Sequence, residues 1–450
     1  MPVTTQHPDY TAHEREWAVM RDALEGEDAV KAKGIVYLPK TAGQECVERQ
    51  EGQAAAHFYQ AYLRRAKYPR WVADAVRSMM GLVSRLEPEA RMPPRMAYLE
   101  EAATADGFGI TDLFLRVVRE ILTTVRIAIV ASVDDRGQAY AALYRAEDAI
   151  NWKEAITSGR RDLTLAVLRE ARASEDEDEF GHKTETVYRV LDLDEGRYRK
   201  RLLSDSGQVL EEVFPSTRGV GIQYLPVIFA GSTDNNPDVD EVPLLTMAQS
   251  ALKSYQLSAD YFEALHKTAH PQAWVTSQED VRIGTTGPGT LWQAGEGAEF
   301  GYLEIAGTGI EATRTAMQDE RNAALEAGAR VVDAGSQTES GDARRARQDD
   351  QHASLHSIVK MAEKAVNQFI EYAKDLTNTT GDHTFSVVPD FSAVDVLPQL
   401  AQQLLNSAMA GYTSPEAYWE YLRTGKVPDR DYSTERLHVD NPGGVDDEAA

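Results

Sequence analysis

Apolar residues recur with helical spacing over several stretches of the chain. In residues 53–67, Ala55, Phe58 and Tyr62 lie near one face of a predicted amphipathic helix. The helix predicted over residues 8–26 is mostly polar, and we expect it to be exposed. Further helices are predicted over residues 69–83, 111–123, 346–376 and 393–410.

Apolar spacing falls towards two residues between about residues 150 and 230, which is typical of strands. A strand pair at 127–133 and 140–144 precedes this region, so residues 127–230 are predicted to form a β-rich subdomain. A short extended piece is also predicted at 34–39. The strands of the meander are predicted at 163–172, 184–193, 197–203 and 208–214.

A long helix is predicted from about residue 242 to residue 267, before Pro271. Its apolar stripe repeats every seven residues and comprises Ala248, Leu252, Tyr255, Ala259 and Phe262. Short strands separated by glycines follow, and a second helix is predicted over 310–332. Two interpretations of this helix–β–helix unit remain open. It is either an ordinary hairpin within one chain or a unit that packs against several neighbours, for which a stripe rich in Ala, Ser and Tyr is suited.

A polar Gly/Ser segment at 335–342 precedes three arginines, Arg344, Arg345 and Arg347. These arginines either contact phosphate groups or pair with neighbouring aspartates. The last helix is predicted to begin at Pro415, after a hydroxyl cap. The polar, acidic end of the chain, residues 429–450, is expected to be disordered.

Charge and composition exclude several classes of protein. The chain has 450 residues, 47 Lys and Arg against 72 Asp and Glu, and a net charge of −25. Such a surface does not coat nucleic acid non-specifically, and 42% apolar residues exclude a wholly disordered chain. Its length predicts two to four lobes. Cys46 is the single cysteine, so neither an intramolecular disulfide nor a cysteine-based zinc site is expected.

Motifs for catalysis or metal binding are weak throughout the chain. Gly425-Lys426 lacks the glycine loop of a phosphate-binding motif, and the glycines at 284–289 are better explained by β-turns. His352 and His356 are four residues apart on a predicted helix, without an evident third ligand. The acidic run 175–179 is best explained as a solvated hairpin tip. We therefore expect no catalytic residues, no metal and no cofactor.

The order of several short segments resembles the portal proteins of tailed bacteriophages, in a podovirus-type, portal-like family. Each segment alone is weak, and the resemblance spans about residues 30–430. One departure is Val125, where relatives tend to have Gly before Arg. The segments that carry the resemblance lie at 58–68, 76–83, 140–152, 225–229, 242–245, 258–261, 309–333, 388–391 and 410–415.

This resemblance implies a mainly α, α+β portal fold and a homododecameric ring at one capsid vertex of the virion, assembled in the host cytoplasm. Double-stranded DNA would pass through the channel, driven by the terminase large subunit. A head–tail adaptor protein and the major capsid protein would be further partners, and no membrane would be involved. The sequence also shows no signal peptide and no segment long enough to span a bilayer.

The resemblance also implies a division of the chain into portal regions. Trp274, Trp292 and Tyr302 would belong to the clip, and the three arginines would face DNA in a tunnel loop. Two alternatives remain open: a monomeric phage adaptor or scaffolding protein, and an enzyme with an unrecognised carboxylate-based site. The implied regions are a wing at 1–240, stem helices at 241–270 and 309–333, the clip at 271–308, the tunnel loop at 334–350, further wing at 351–390 and a crown at 391–428.

Overall fold

The computed structural model has a mixed α and β fold with more residues in helices than in strands. Its residues fall into two compact units, Met1–Pro389 and Asp390–Ala450. None of the described helices is both long and apolar enough to cross a membrane. The structure describes residues 2–52, 56–157, 159–173, 180–268, 272–277, 297–303, 307–328, 341–389, 391, 398–424, 427–428, 430 and 432–440.

The first unit begins with helices that pack on one another. They are α1 (Pro8–Glu25), α2 (Glu27–Ala32), α3 (Ala42–Glu51), α4 (Ala56–Arg65), α5 (Trp71–Val83) and α6 (Ile110–Thr124). The prediction that α1 is mostly exposed is wrong, because Tyr10, Trp17 and Met20 share one face and are buried. Helix α3 was not predicted, and it begins at a capping box formed by Thr41 and Gln44.

The extended piece predicted at 34–39 is instead a 3₁₀ turn, Gly34–Val36. Gly34 adopts a φ of 53°, and its carbonyl oxygen accepts hydrogen bonds from the amides of Tyr37 and Leu38. The Tyr37 hydroxyl then donates to the Asp22 carboxylate over 2.5 Å, which fixes the turn against α1. Local hydrogen bonds and a long-range contact thus outweigh the apolar pattern.

The described strands form four small sheets, one of which lies in the candidate site, and one larger sheet. In the three-stranded sheet, β2 (Ile127–Val133) lies between β3 (Ala139–Arg145) and β11 (Val227–Ala230), both antiparallel to it. Strand β1 (Glu89–Arg91) pairs with β14 (Thr384–Ser386), and β9 (Ser216–Thr217) pairs with β10 (Val220–Gly221).

The larger sheet is an antiparallel meander of five strands in chain order. It comprises β4 (Ala149–Thr157), β5 (Arg160–Ala173), β6 (Thr184–Asp194), β7 (Arg197–Ser204) and β8 (Val209–Val213). The strands predicted from the two-residue period are therefore confirmed in this part of the chain. The acidic run 175–179 lies outside the described residues.

The long helix α9 (Gly341–Thr377) packs on the three-stranded sheet and on α6. Its apolar stripe includes Val359, Val366 and Phe369, all with no exposed surface. Because β2 is buried along almost its whole length, this sheet and its two helices form the centre of the core of the first unit.

The second unit is helical, with α10 (Pro398–Met409), α11 (Pro415–Thr424) and α12 (Tyr432–Asp440). As predicted, α11 begins at Pro415, and the Ser414 hydroxyl accepts a hydrogen bond from the Ala417 amide over 3.1 Å. Helix α12 corrects the expectation of disorder for part of the tail. Glu435 in α12 accepts a hydrogen bond from the Ser414 amide and pairs with Arg430, which holds the helix in place.

Candidate functional site

A helical hairpin with strands between its helices is the most distinctive candidate site. Helix α7 (Leu245–Thr268) packs along α8 (Thr308–Glu326), and β12 (Gln272–Thr276) pairs antiparallel with β13 (Glu299–Leu303). Residues 278–296, where the sequence predicts further short strands between glycines, lie outside the described residues. The structure therefore confirms the order of long helix, strands and long helix.

Helix α7 is embedded at its N-terminal end and emerges towards its C-terminal end. Its small side chains allow close approach of α1, α4 and α5, which all contact it. The residues after Ala259 are half-buried or exposed. The buried residues of α7 are Met247, Ala248, Ser250, Ala251, Ser254, Tyr255, Ser258 and Ala259.

Two polar contacts join the outer part of α7 to α4. The Tyr62 hydroxyl donates to the Asp260 carboxylate over 2.6 Å, and Arg65 contacts the Glu263 carboxylate at 2.6 Å. Burial alone would raise the pKa of Glu263, but hydrogen bonds and charges from Lys267 and Arg65 lower it overall. Both helices present their partners three residues apart, so the two contacts fix the helices at one relative height.

A third contact fixes α7 to the segment after α4. The Ser258 hydroxyl accepts a hydrogen bond from the Lys67 amide over 2.8 Å and lies 3.0 Å from the Lys67 carbonyl oxygen. Next to it, the Tyr255 and Tyr68 rings meet edge to face with centroids 6.1 Å apart. Burial raises the pKa of Tyr255 to about 12. The base of the hairpin is therefore held by packing and by specific hydrogen bonds.

Helix α8 is exposed over most of its surface. Among its 19 residues only Ala324 is buried. Its sequence carries four carboxylates and two arginines, and Glu311 pairs with Arg314 on the outer surface. The face towards α7 consists of half-buried residues: Ile310, Thr313, Ala316, Met317, Glu320 and Leu325. Helix α8 thus has a polar outer face that no described part of this chain covers.

An open cleft of about 410 Å³ lies between α8 and the segment that leads into α5. Among the residues that the structure describes, no carboxylate lines this cleft, so they do not provide a carboxylate pair for acid–base catalysis there. The residues that line it are Lys67, Tyr68, Pro69, Trp71, Ser254, Met317, Gln318 and Arg321.

The stem residues predicted from the seven-residue repeat divide into two sets. Ala248, Tyr255 and Ala259 are buried within the chain. Leu252 and Phe262 are half-buried. The first set therefore packs within this chain, whereas the second set keeps surface that is not buried by it.

The predicted clip residues are only partly described. Trp274 is 40% exposed, and it lies opposite Gly301 in the β12–β13 ladder. A Cβ at Gly301 would come within 2.6 Å of the indole, so glycine is needed for this close approach. Tyr302 lies opposite Ala273 in the same ladder. Trp292 lies outside the described residues.

Arg344, Arg345 and Arg347 lie in the first turns of α9, since this helix begins at Gly341. The helix therefore starts five residues earlier than the sequence predicts and includes part of the predicted loop segment. Residues 329–340 lie outside the described residues. Contact of these arginines with DNA stays a prediction.

His352 and His356, the candidate metal pair, lie on α9, and His356 is exposed. Within the described ranges, no group of three or more His, Cys, Asp or Glu side chains is arranged to hold a metal ion. These two histidines therefore have no third ligand among the described residues.

Sequence reasoning missed a buried cation in the core. Arg126 is 1% exposed, and its guanidinium carbon lies 3.9 Å from the Trp152 ring centroid and 4.1 Å from that of Phe229. None of its side-chain nitrogens has a hydrogen-bond partner among the residues that the structure describes. Burial lowers its pKa to about 9, although Asp9 and Asp238 oppose this.

Comparisons with known proteins give a family model and distant structural likenesses. Residues 243–377 match the model of a domain of unknown function (DUF4055). This segment begins just before α7 and ends with α9, so the family model includes the whole hairpin. No curated protein matches the sequence.

Two solved structures are similar to the chain. One is described as the virion of a native gene transfer agent particle, with 13% identity, a TM-score of 0.42, and coverage of 83% of this chain and 90% of that chain. The other is the neck of a native gene transfer agent particle computed with C12 symmetry, with 12% identity, a TM-score of 0.41 and the same coverage. TM-scores below 0.5 do not establish a common fold, so no role is transferred from these particles.

Proposed function

We propose that this chain is a phage portal protein, which assembles into a ring at one capsid vertex and forms the channel for DNA. The observation that carries the proposal is the hairpin of α7 and α8. The N-terminal part of α7 is buried against α1, α4 and α5, and the outer face of α8 is uncovered. A portal stem requires such a pair of helices around a β insertion, and the order of motifs along the sequence supports the same assignment.

Assembly into a ring would explain why one face of α8 is uncovered in the single chain. In a closed cyclic assembly, each hairpin lies between two others, so a face exposed in one subunit is covered by a neighbour or lines the channel. A 19-residue helix with one buried residue packs on α7 with one face only and leaves most of its surface available to a further partner. We therefore infer that contacts between subunits supply the remaining packing of α8.

The charge of the hairpin is compatible with DNA that slides and does not stick. Helix α8 carries more carboxylates than arginines, and the whole chain has a net charge of −25. An electronegative wall repels phosphate groups, and this repulsion is screened over about 8 Å at physiological ionic strength. Arg344, Arg345 and Arg347 would then supply local contacts with phosphate in an otherwise repulsive channel.

Partners follow from the same assignment. The strands β12 and β13 lie between the two helices in the chain, where the clip of a portal docks the terminase large subunit and later the head–tail adaptor protein. The remainder of the first unit would contact the major capsid protein. These assignments are part of the proposal, and no membrane or cofactor enters it.

Light scattering of the purified chain tests whether it forms a closed oligomer. Twelve subunits of 49.8 kDa would give a particle of about 600 kDa that does not grow further with concentration. A nearby subunit number would also support a ring. A single species of about 50 kDa at every concentration would overturn self-assembly and favour a monomeric adaptor.

A further inference from the structure

The five-stranded sheet has two free edges. Strand β4 pairs with β5 only, and β8 pairs with β7 only, within the described part of the chain. A free edge presents unpaired amide and carbonyl groups, which form a template for another strand. The residues on these two edges indicate what would cover them.

The edge at β8 is unusually apolar for an exposed strand. All five of its residues are exposed, and Val209, Leu210 and Val213 are each 42–47% exposed. Phe214, which directly follows the strand, is 47% exposed. A bulge interrupts the pairing with β7 near Leu210, and the ladder is regular from Glu211 to Val213. Soluble proteins rarely leave such an edge uncovered.

The edge at β4 is covered along its first part only. The amide of His7 donates to the Ile150 carbonyl oxygen over 2.9 Å, and the Asn151 side chain donates to the Thr5 carbonyl oxygen over 2.8 Å. The N-terminal segment therefore occupies the beginning of this edge.

The remainder of β4 is open and has an exposed apolar residue. Lys153 and Ala155 are exposed, and Ile156 is 78% exposed. The open part runs from Lys153 to Thr157, which matches the five residues of β8 in length. The two free edges could therefore pair over their whole lengths.

Charge also matches across the two edges. Glu211 and Glu212 are exposed on β8. Lys153 is exposed on the open part of β4, whose one carboxylate, Glu154, is paired with Arg161 of the adjacent strand. Pairing of β8 with β4 would bring opposite charges together, whereas pairing of two β8 edges would bring four glutamates together.

The strand directions select the symmetry of this contact. Five strands that alternate in direction leave β4 and β8 running the same way. Copies related by a rotation about a ring axis would therefore present β8 of one copy to β4 of the next as parallel neighbours. Such a head-to-tail contact closes into a ring, whereas a two-fold contact would stop at a dimer.

We propose that β8 of one subunit adds to residues 153–157 of β4 in the next copy of this chain, so that the sheets join into a continuous belt around the ring. This inference rests on the proposed ring, and it specifies the surface by which neighbouring subunits recognise each other. Val213 of one copy would then pack beside Ile156 of the next, and the bulge turns Val209 to the opposite face of the sheet.

Cysteine cross-linking tests the head-to-tail contact. In a Cys46→Ser background, which removes the exposed native cysteine, the double variant Ile156→Cys and Val213→Cys is treated with a short bismaleimide. We expect a ladder of covalent oligomers from the double variant. Each single variant should give no oligomer, because the two positions belong to different edges.

The outcomes separate this contact from the ring itself. A ladder from the double variant alone supports the pairing of β4 with β8. Covalent dimers from Val213→Cys alone would overturn it in favour of a two-fold contact. Particles that are assembled by light scattering yet give no cross-link would overturn the edge pairing and leave the portal proposal standing, whereas a chain that never assembles would overturn both.

A charge substitution provides a second test without cross-linking. Val213→Lys would place a positive charge against the apolar Ile156 and near Arg161, its partner in the β4–β5 ladder, and we expect the concentration for half-assembly to rise by about tenfold. Val388→Lys is the matched control, because Val388 is 75% exposed and lies outside the sheet. Equal assembly of Val213→Lys and the control, with unchanged circular dichroism, would contradict the proposed contact.

Discussion

Val125 ends helix α6 with a backbone φ of 63°, in the left-handed region that favours glycine. Its side chain is fully buried, so packing holds a β-branched residue in a conformation that costs it about 1–3 kcal/mol. The buried valine therefore combines favourable packing with backbone strain.

Substitution at Val125 should reverse the usual order of alanine and glycine. We expect Val125→Gly to be at least as stable as Val125→Ala, because glycine relieves the left-handed strain that alanine retains. At Val118, which is buried in the middle of the same helix, glycine should be about 1 kcal/mol less stable than alanine. Denaturant midpoints of the four variants check this, and the same order at both sites would contradict it.

Arg126 is a cation with aromatic partners and no described hydrogen-bond acceptor. Desolvation of an unpaired charge is costly, and its contacts with Trp152 and Phe229 offset only part of that cost. We expect Arg126→Met to be as stable as the natural protein or up to about 3 kcal/mol more stable. Chemical denaturation measures this, and a loss of more than about 1 kcal/mol would show that the guanidinium has a favourable partner.

The pH dependence of that comparison has a defined sign. The pKa of Arg126 is lowered to about 9 in the folded protein, so protons bind more readily to the unfolded state above that pH. The contribution of Arg126 to stability should therefore rise as pH increases through 9. We expect the stability difference between Arg126→Met and the natural protein to shrink between pH 8 and about pH 10, and a constant difference would contradict the lowered pKa.

At the scale of elements, the Ser258 hydroxyl is one of the specific contacts that fix α7 to the segment after α4. Ser258→Ala would remove the partner of the Lys67 amide in a part-buried contact, and we expect a loss of about 0.5–1.5 kcal/mol. Ser250→Ala is the matched control, since Ser250 is also buried on α7 and no side-chain hydrogen bond of it is described. Thermal unfolding of both variants measures the difference, and equal stabilities would contradict a specific role for Ser258.

A large side chain on the exposed face of α8 should weaken assembly without affecting the fold of the single chain. Ala323 is exposed on this face, so Ala323→Trp should leave helix content unchanged while it prevents or weakens the oligomer. Ala323→Ser keeps the side chain small and should assemble normally. Light scattering together with circular dichroism distinguishes these outcomes, and full assembly of Ala323→Trp would contradict packing of α8 between subunits.

Elements with a strong period could be predicted from the sequence, and long-range contacts could not. The meander β5 to β8 and helix α7 follow directly from periods of two and seven. The contacts of Tyr62 and Arg65 with α7 join residues 198 positions apart. The matching three-residue spacing of the two pairs of residues predicts these contacts only once the two helices are known to be neighbours. Burial of α1 was missed because its few large apolar residues are diluted by charged ones.

For the whole molecule, the arginines at the start of α9 are the predicted contact with DNA. Replacing Arg344, Arg345 and Arg347 with Ala should reduce packaging or retention of DNA, because local phosphate contacts are lost. Assembly of the ring should not change. The DNA content of assembled particles, measured by buoyant density, checks this, and unchanged DNA content would remove these residues from the site.

For the whole chain, composition predicts some functional properties, whereas buried charges and free sheet edges are seen only in the structure. The net charge of −25 excluded wholesale binding of nucleic acid, and no phosphate-binding or nucleophile motif was found. Arg126 gave no sequence signal, because an arginine before a strand ordinarily lies at the surface. The uncovered edges of the five-stranded sheet also had to be seen in the structure, since exposure of β8 depends on which strands pair.

Electron microscopy of the assembled chain tests the central claim most directly. We predict a closed ring with a central opening, in which the α7–α8 hairpins surround the axis and the strands between them lie at one end of the channel. A monomeric particle, an open filament, or a ring with its hairpins on the outer rim would contradict the assignment of this chain as a portal.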